Sequence, residues 1–398
     1  MTVRITKPEF NLREKLSELD RPIGLKGSEL MRSDNVQDAR ELVGAGRKNM
    51  IINGDMRIAQ KETTKTGIIL QGYYTCDRWH IQLNGPTLKL EQDSDNPGYG
   101  FKNSLAITTT TAVSSIAGGN AIKLRYLIEG YDVAQLQYGT THAKPFTLSF
   151  WVKSSLTGQF AISFSRDSRI VNRQVTVNSA NTWEHKSITI LGDVTTALGN
   201  TTNGTGMIIN IFPSSGANST DGASIRQWNS YHNAHTAFGA NMGHLTVTNS
   251  TFKITGVQME VGKVATEFEF RSRAEELALC QRYFFVMAPL DNYAGYGMGG
   301  AYSPTQAVAI VPFPVAMRAK PTFSYVGALG DFYDVVGGFS GGGAFSSMVV
   351  NNVMGTGTNG EAVSAKVHVV GSGTAGNPFM LATEGNTSTR LYFDAEIT

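Results

Sequence analysis

The sequence predicts a mainly β protein: an antiparallel jelly-roll β-sandwich, a smaller C-terminal all-β domain after it, and a short α-helical N-terminal segment. Three observations carry this. From about residue 49, apolar residues recur with period two in short runs, the mark of strands with one dry and one wet face. Glycine is abundant, 43 of 398 residues, and charged residues make up only 17%, the composition of many strands joined by tight turns. Helical patterns between the strand runs are missing, which argues against a parallel sheet built on crossover helices.

Residues 1–48 are the first expected segment, and 10 basic and 8 acidic residues fall there. Leu12, Leu16 and Leu19 follow one helical stripe, with Asn11 as cap, Glu14 at the third position and Pro22 as stop. A second helix is predicted over Asn35–Val43, capped by Asp34. Val36, Ala39, Leu42 and Val43 form its apolar side, and Gly44 and Gly46 end it. Two short amphipathic helices do not bury such stripes in isolation. Leu12, Leu16, Leu19, Val36, Leu42 and Val43 are therefore expected to dock on a partner surface, another copy of the chain or another protein, the alternative being that they pack back on their own domain.

Residues 49–271 are the expected sandwich. Leu148, Phe150 and Val152 alternate in TLSFWV, as do Phe160, Ile162 and Phe164. Val175 with Val177, Ile188 with Ile190, Ile209 with Ile211, and Leu245 with Val247 continue the pattern, and Phe252, Ile254 and Val257 close it. Trp79, Trp151 and Trp183 lie in apolar alternation and are assigned to the core.

Residues 272–398 open on a helix. Ser272 and Glu275 make a capping box, and Leu277, Cys280 and Phe284 lie along one side. Strand runs resume at 307–311, 322–326, 345–350, 365–369, 379–382 and 390–396, with glycine-rich loops at 337–343 and 355–360. Pro312, Pro314 and Pro321 are expected to flank strands, because proline cannot donate to a central ladder.

Composition bounds the function classes. A net charge of +2 gives no electrostatic case for nucleic acid or an anionic membrane. No run approaches the ~18 apolar residues of a membrane span, and the N-terminus carries no apolar signal core; a soluble chain made in a cytoplasm is expected. Cys76 and Cys280 are then expected to be buried free thiols. No HExxH or phosphate loop is present, so no cofactor is expected.

His232, His235 and His244 lack the close third ligand that zinc would want. Asp93 and Asp95, near Glu91 and Asn96, are oxygen-rich enough for calcium, but an ordinary solvated turn is simpler; no metal is expected. Asp77, Glu129, Asp132 and Asp167 show no spacing that points to a glycosidase pair, and no enzymatic activity is expected. Asp77 and Arg78 are read as an ion pair.

Aromatic residues in polar loops are the stronger signal, since sugars stack their C–H faces on rigid rings. Trp228, Tyr231 and His232 share one polar loop, and Tyr293, Tyr296 and Tyr302 punctuate a glycine-rich stretch. These six are the candidate ligand-binding residues, although a tryptophan such as Trp228 can equally plug the open end of a sandwich.

Six segments carry a family resemblance. RKNMIINGDMRIAQK (residues 47–61), GYYTCDRWHI (72–81) and ITGVQMEVGKVATEFEFRSRAEELALCQRY (254–283) resemble sandwich segments of tailed-bacteriophage structural proteins. RLYFDAEI (390–397) resembles their terminal strand, PFTLSFWVKS (145–154) is similar to a central strand of carbohydrate-binding-module-like jelly rolls, and PEFNLREKLSELDRPIGLKG (8–27) resembles the attachment segment of cyanophage appendage proteins. Glu267 stands where that family often has proline, which affects a turn. The resemblance implies a virion structural protein assembled in a bacterial cytoplasm, a tail fibre or appendage that attaches to the host surface. It implies a host glycan or receptor, other virion proteins and a homotrimer as partners, with residues 1–48 as the mounting point. The alternative is a purely structural head-decoration or tail-connector protein.

Overall fold

β-branched and aromatic residues at every second position cover one face of a pleat, and the alternating runs form paired strands. The computed structural model describes residues 47–292, 294–334, 345–356, 360–383 and 385–397. The helices expected within 1–46, with Leu12, Leu16, Leu19, Val36, Leu42 and Val43, lie outside the described residues, as do Tyr293 and the glycine run 337–343. Residues 49–398 form one compact unit.

Strands are numbered along the chain. One six-stranded sheet runs in the order β1 (Thr64–Ile68), β4 (Thr87–Asp93), β5 (Ser104–Thr111), β13 (Thr251–Val261), β7 (Phe146–Ser154), β10 (Glu184–Ile190). A seven-stranded sheet runs β12 (Asn229–Ser230), β9 (Arg169–Val177), β8 (Gly158–Arg166), β11 (Thr205–Ser215), β6 (Ala121–Glu129), β3 (Trp79–Asn84), β2 (Gly72–Tyr73). Leu148, Phe150 and Val152 meet Phe160, Ile162 and Phe164 between the two sheets, with Phe146 against Phe164 at 4.9 Å and Phe160 against Phe252 at 5.3 Å. Edge-to-face rings and branched aliphatics fill this core.

The C-terminal part has a three-stranded sheet, β14 (Phe284–Met287), β22 (Arg390–Asp394), β17 (Thr322–Val326). Beside it lies a second six-stranded sheet, β18 (Phe332–Asp334), β21 (Pro378–Thr383), β15 (Gly295–Ser303), β16 (Gln306–Met317), β20 (Glu361–Val370), β19 (Ser347–Thr356). Phe285, Phe332, Phe379 and Phe393 anchor its separate core. All pairings among these described strands are antiparallel.

Three local expectations need correcting. Leu245 and Val247 do not alternate along a strand: Gly243–Leu245 is a 3-10 turn that buries Leu245 and leaves Val247 exposed. Pro312 and Pro314 lie inside β16, not beside it. Register shifts between Pro312 and Met317, and β15 pairs with β16 only as far as Ile310, so these prolines face no ladder partner on the β15 side. Asp77 and Arg78 do not pair with each other. Asp77 accepts from Gln60 N at 2.8 Å and Gln60 Nε2 at 2.6 Å, while Arg78 ion-pairs with Glu396.

The helix Arg273–Gln281 is capped as expected, Ser272 Oγ accepting from Glu275 N at 3.2 Å. Cys280 is buried against Ile52, Leu127, Tyr283 and Ile397, and both cysteines are free thiols. Four of the segments behind the family resemblance converge here. Asn53, in a left-handed turn at φ 57°, takes up Ile58 and Asp77 carbonyls with its amide, and its own carbonyl accepts from Trp79 Nε1 at 3.1 Å. Its backbone N–H donates to Glu276, which is also held by Arg271. Arg78, 1% exposed, joins Glu396, donates to Leu127 O at 2.6 Å and lies 3.5 Å over the Tyr283 ring. Arg282 ties Glu129 to Glu361, each at 2.6 Å. These motifs build a buried joint between the sandwich and the C-terminal strands.

Candidate functional site

The expected ligand-binding residues are not gathered in one place. Trp228 is 9% exposed; its indole N–H donates to Leu191 O at 2.9 Å, and its ring meets Tyr138 edge-on and receives the Arg166 guanidinium at 5.2 Å. That is the geometry of a plug. Tyr231 and His232 are exposed on the following turn, Tyr231 N donating to Ser168 O at 2.6 Å. Tyr296 is buried, its hydroxyl 2.6 Å from Thr389 Oγ1. Tyr302 is exposed on β15 beside His368, with 3.3 Å between its hydroxyl and the ring nitrogen. His235 Nδ1 accepts from Ala223 N at 2.7 Å, and His244 is buried elsewhere with its Nε2 3.0 Å from Ser154 Oγ. Glu129 is held by Arg282 and the Tyr283 hydroxyl, and Asp167 by Gly199 N at 2.8 Å.

A different surface brings exposed rings together. Leu148, Phe150 and Val152 of β7 point into the core, so Trp151 and Lys153 point outward. Register sets Trp151 between His185 of β10 and Thr255 of β13. Trp151 is half-buried rather than core, and so is Trp183. His185 tilts against Trp151 at 5.1 Å, and Tyr99 stacks on it at 5.1 Å with only 18° between the planes. Tyr99 is 76% exposed.

The loop between β4 and β5 builds this stack. Gly98, Tyr99 and Gly100 all have positive φ, 84°, 51° and 92°, a turn that flanking glycines make cheap. Phe101 is buried behind it in a triangle with Phe268 and Phe270, 5.1 and 5.0 Å away. Gly256, at φ 62°, lies beneath: a Cβ there would come within 2.7 Å of the Phe101 ring and 3.1 Å of the Trp151 ring.

Charges beside the rings are matched. Lys253 Nζ reaches Asp93 at 2.6 Å and Asp95 at 2.8 Å, Lys153 Nζ reaches Asp95 at 2.9 Å, and Trp183 Nε1 donates to Asp95 at 3.1 Å. Burial pushes the Asp95 carboxyl up, but the hydrogen bonds from Lys253, Lys153 and Trp183 outweigh it and hold it at about 2. The oxygen-rich cluster noted in the sequence is therefore occupied by two ammonium groups. The result is a face of rings and fixed hydrogen-bonding groups, suited to a ligand with C–H faces and hydroxyls.

Two signals in the sequence point to this face. The alternation that puts Phe150 inside puts Trp151 outside, and Gly-Tyr-Gly brackets a ring with turn residues. Among the described residues no helix is long and apolar enough to cross a membrane, and no group of three metal-ligating side chains is formed.

No family model and no curated protein matches the chain. Among solved structures it is similar to the enzymatically active domain of tailspike protein 4 of bacteriophage CBA120, at 13% identity and TM-score 0.30 over 54% of this chain and 21% of that one. It therefore spans about a fifth of that tailspike chain. It is also similar to a CBM4 structure, at 13% identity and TM-score 0.27 over 53% of this chain and 98% of that one. A family 11 carbohydrate-binding module from Clostridium thermocellum, in complex with a mixed-linked tetrasaccharide, matches at 12% identity and TM-score 0.25 over 51% of this chain and 98% of that one. The architecture given above rests on the strand order and register of this chain.

Proposed function

We propose that this protein is a phage virion component, a tail fibre or related appendage, that attaches to a glycan on the host surface. The observation that carries the glycan reading is the exposed Tyr99 ring stacked on Trp151, flanked by His185 and set beside the Lys153–Asp95–Lys253 network. A sugar stacks on the outer face of Tyr99, and the charged network and Trp183 hold the platform rigid, which limits the entropy lost on binding. The virion assignment is supported by the ordered phage-like segments along the sequence.

In this reading residues 49–271 are the glycan-binding body, residues 272–398 the distal β domain, and residues 1–48 the mounting segment. Exposed Met298, Ile310, Val349 and Tyr302 on strands β15, β16 and β19 of the distal sheet support association of several copies, with a trimer as the proposed state. A fragment of residues 49–398 should bind host cells as the full chain does. If only the full chain associates, and only with particles, the protein is a structural decoration or connector and the glycan reading fails.

A further inference from the structure

The opposite face of the sandwich carries an uncompensated charge pair. Across the outer face of the seven-stranded sheet, register sets Tyr73 beside His80, His80 beside Arg125, Arg125 beside Asn210, and Asn210 beside Ser163. In the parallel row Gln82 faces Lys123. Arg125 and Lys123 are two residues apart on β6 and so share this face. Both are half-buried, and among the described residues neither meets a carboxylate. Lys123 has only the Phe212 ring, 5.4 Å from Nζ. Arg125 Nε is buried with no hydrogen-bond partner, and so is Nδ1 of His80, a residue only 8% exposed.

Two neighbouring cations without an anion are a costly arrangement. Burial and then Arg125 lower the Lys123 ammonium to about 8. Arg78, Arg166 and Arg282 are instead paired, with Glu396, Asp193 and Glu129, and Arg173 and Arg318 donate to backbone carbonyls. The surroundings of Arg125 are polar and neutral. Asn210 is buried, its amide 3.5 and 3.4 Å from the hydroxyls of Ser163 and Ser165, which leaves it weakly satisfied. Tyr231 is exposed and within electrostatic range of Arg125, as is Tyr73.

We propose that this face is a second binding site, for an acidic saccharide unit whose carboxylate or sulfate is held by Arg125 and Lys123. His80 Nδ1 and Asn210 take its hydroxyls, and the Tyr231 ring forms the rim. Charge complementarity demands an anion. The floor of amide, hydroxyl and imidazole groups fits a polyhydroxy ligand. Nucleic acid is disfavoured: besides Arg125 and Lys123 the row has only Lys61 nearby, already paired with Asp394, and the whole chain carries +2. The site shares only its ligand class with the Tyr99 platform on the other sheet, and each stands or falls separately.

The test is calorimetric titration of the full chain with oligogalacturonate, a sulfated oligosaccharide, and methyl-esterified oligogalacturonate as the neutral control. Binding of an acidic probe, lost at least tenfold in Arg125→Gln and Lys123→Gln and absent for the methyl ester, is the expected result. Which acidic probe binds distinguishes uronate from sulfate. Trp151→Ala should leave this binding intact. Lys123→Gln should keep or raise the thermal midpoint of the free protein, since it removes an unpaired charge; a lowered midpoint would assign Lys123 a structural role and overturn the proposal. Binding of neither acidic probe, equal binding of the ester, or self-association that disappears in Arg125→Gln would also overturn it, the last assigning the face to a second copy.

Discussion

Replacing Arg78 by Met tests whether the buried joint holds the sandwich to the C-terminal strands. Arg78 is 1% exposed and the Glu396 side chain 3%, so Arg78→Met leaves an unpaired carboxylate in a dry site. Removing one partner of such a pair costs about 3–5 kcal/mol. The Leu127 carbonyl also loses its donor and the Tyr283 ring its cation; these effects overlap with the first and do not simply add. With unfolding entropy near ~2.1 cal/mol/K per residue, a unit spanning 49–398 shifts by about 1.4 °C per kcal/mol, so the midpoint should fall by about 4–7 °C. Guanidinium unfolding should show a lower midpoint concentration at unchanged slope. The double variant Arg78→Met with Glu396→Gln should recover at least ~1 kcal/mol relative to the sum of the two single variants. A loss below ~1 kcal/mol for Arg78→Met, or strict additivity in the cycle, would refute the reasoning.

Three further outcomes follow from the same geometry. Burial lowers His244 to about 4 against an ordinary 6.5; the unfolded chain then binds the extra proton between those values, so stability should fall by up to about 3 kcal/mol as pH drops from 6.5 to 4. His244→Phe should flatten that part of a stability-against-pH curve, and an unchanged slope would count against it. Asp77 runs the other way: burial, opposed by the Gln60 hydrogen bonds, pushes its carboxyl up to about 7, so the native state holds the proton longer and stability should decline from pH 4 to 7, a decline that Asp77→Asn should remove. Gly256→Ala should both destabilise, by about 1–3 kcal/mol for the positive φ and the clash, and weaken glycan binding by displacing Phe101 and Trp151; normal binding at normal stability would contradict the placement.

What the sequence made legible follows from the range of each interaction. Period-two alternation is local, so β7, β8 and β11 could be read directly, and so could the Ser272 cap. The Arg78–Glu396 pair joins residues 318 positions apart, and no local pattern announces it; the neighbouring Asp77 invited the wrong pairing. Pro312 and Pro314 misled because a strand that outruns its neighbour tolerates proline, and only register shows where the neighbour stops. The Trp151 platform was half legible. Alternation placed the ring outward, but counting tryptophans as core hid it, and the partner Tyr99 lies 52 positions earlier in a loop. Trp228 shows the converse, a tryptophan in a polar loop that turns inward over Tyr138 and Arg166.

The most direct test of the central claim is glycan binding by the full chain and by Trp151→Ala and Tyr99→Ala, measured on a glycan array and on host surface polysaccharide. The account predicts that the wild-type chain binds at least one glycan and that Trp151→Ala weakens it by about 2 kcal/mol or more, roughly thirtyfold, with Tyr99→Ala losing binding without loss of stability. Equal binding by all three proteins would contradict it.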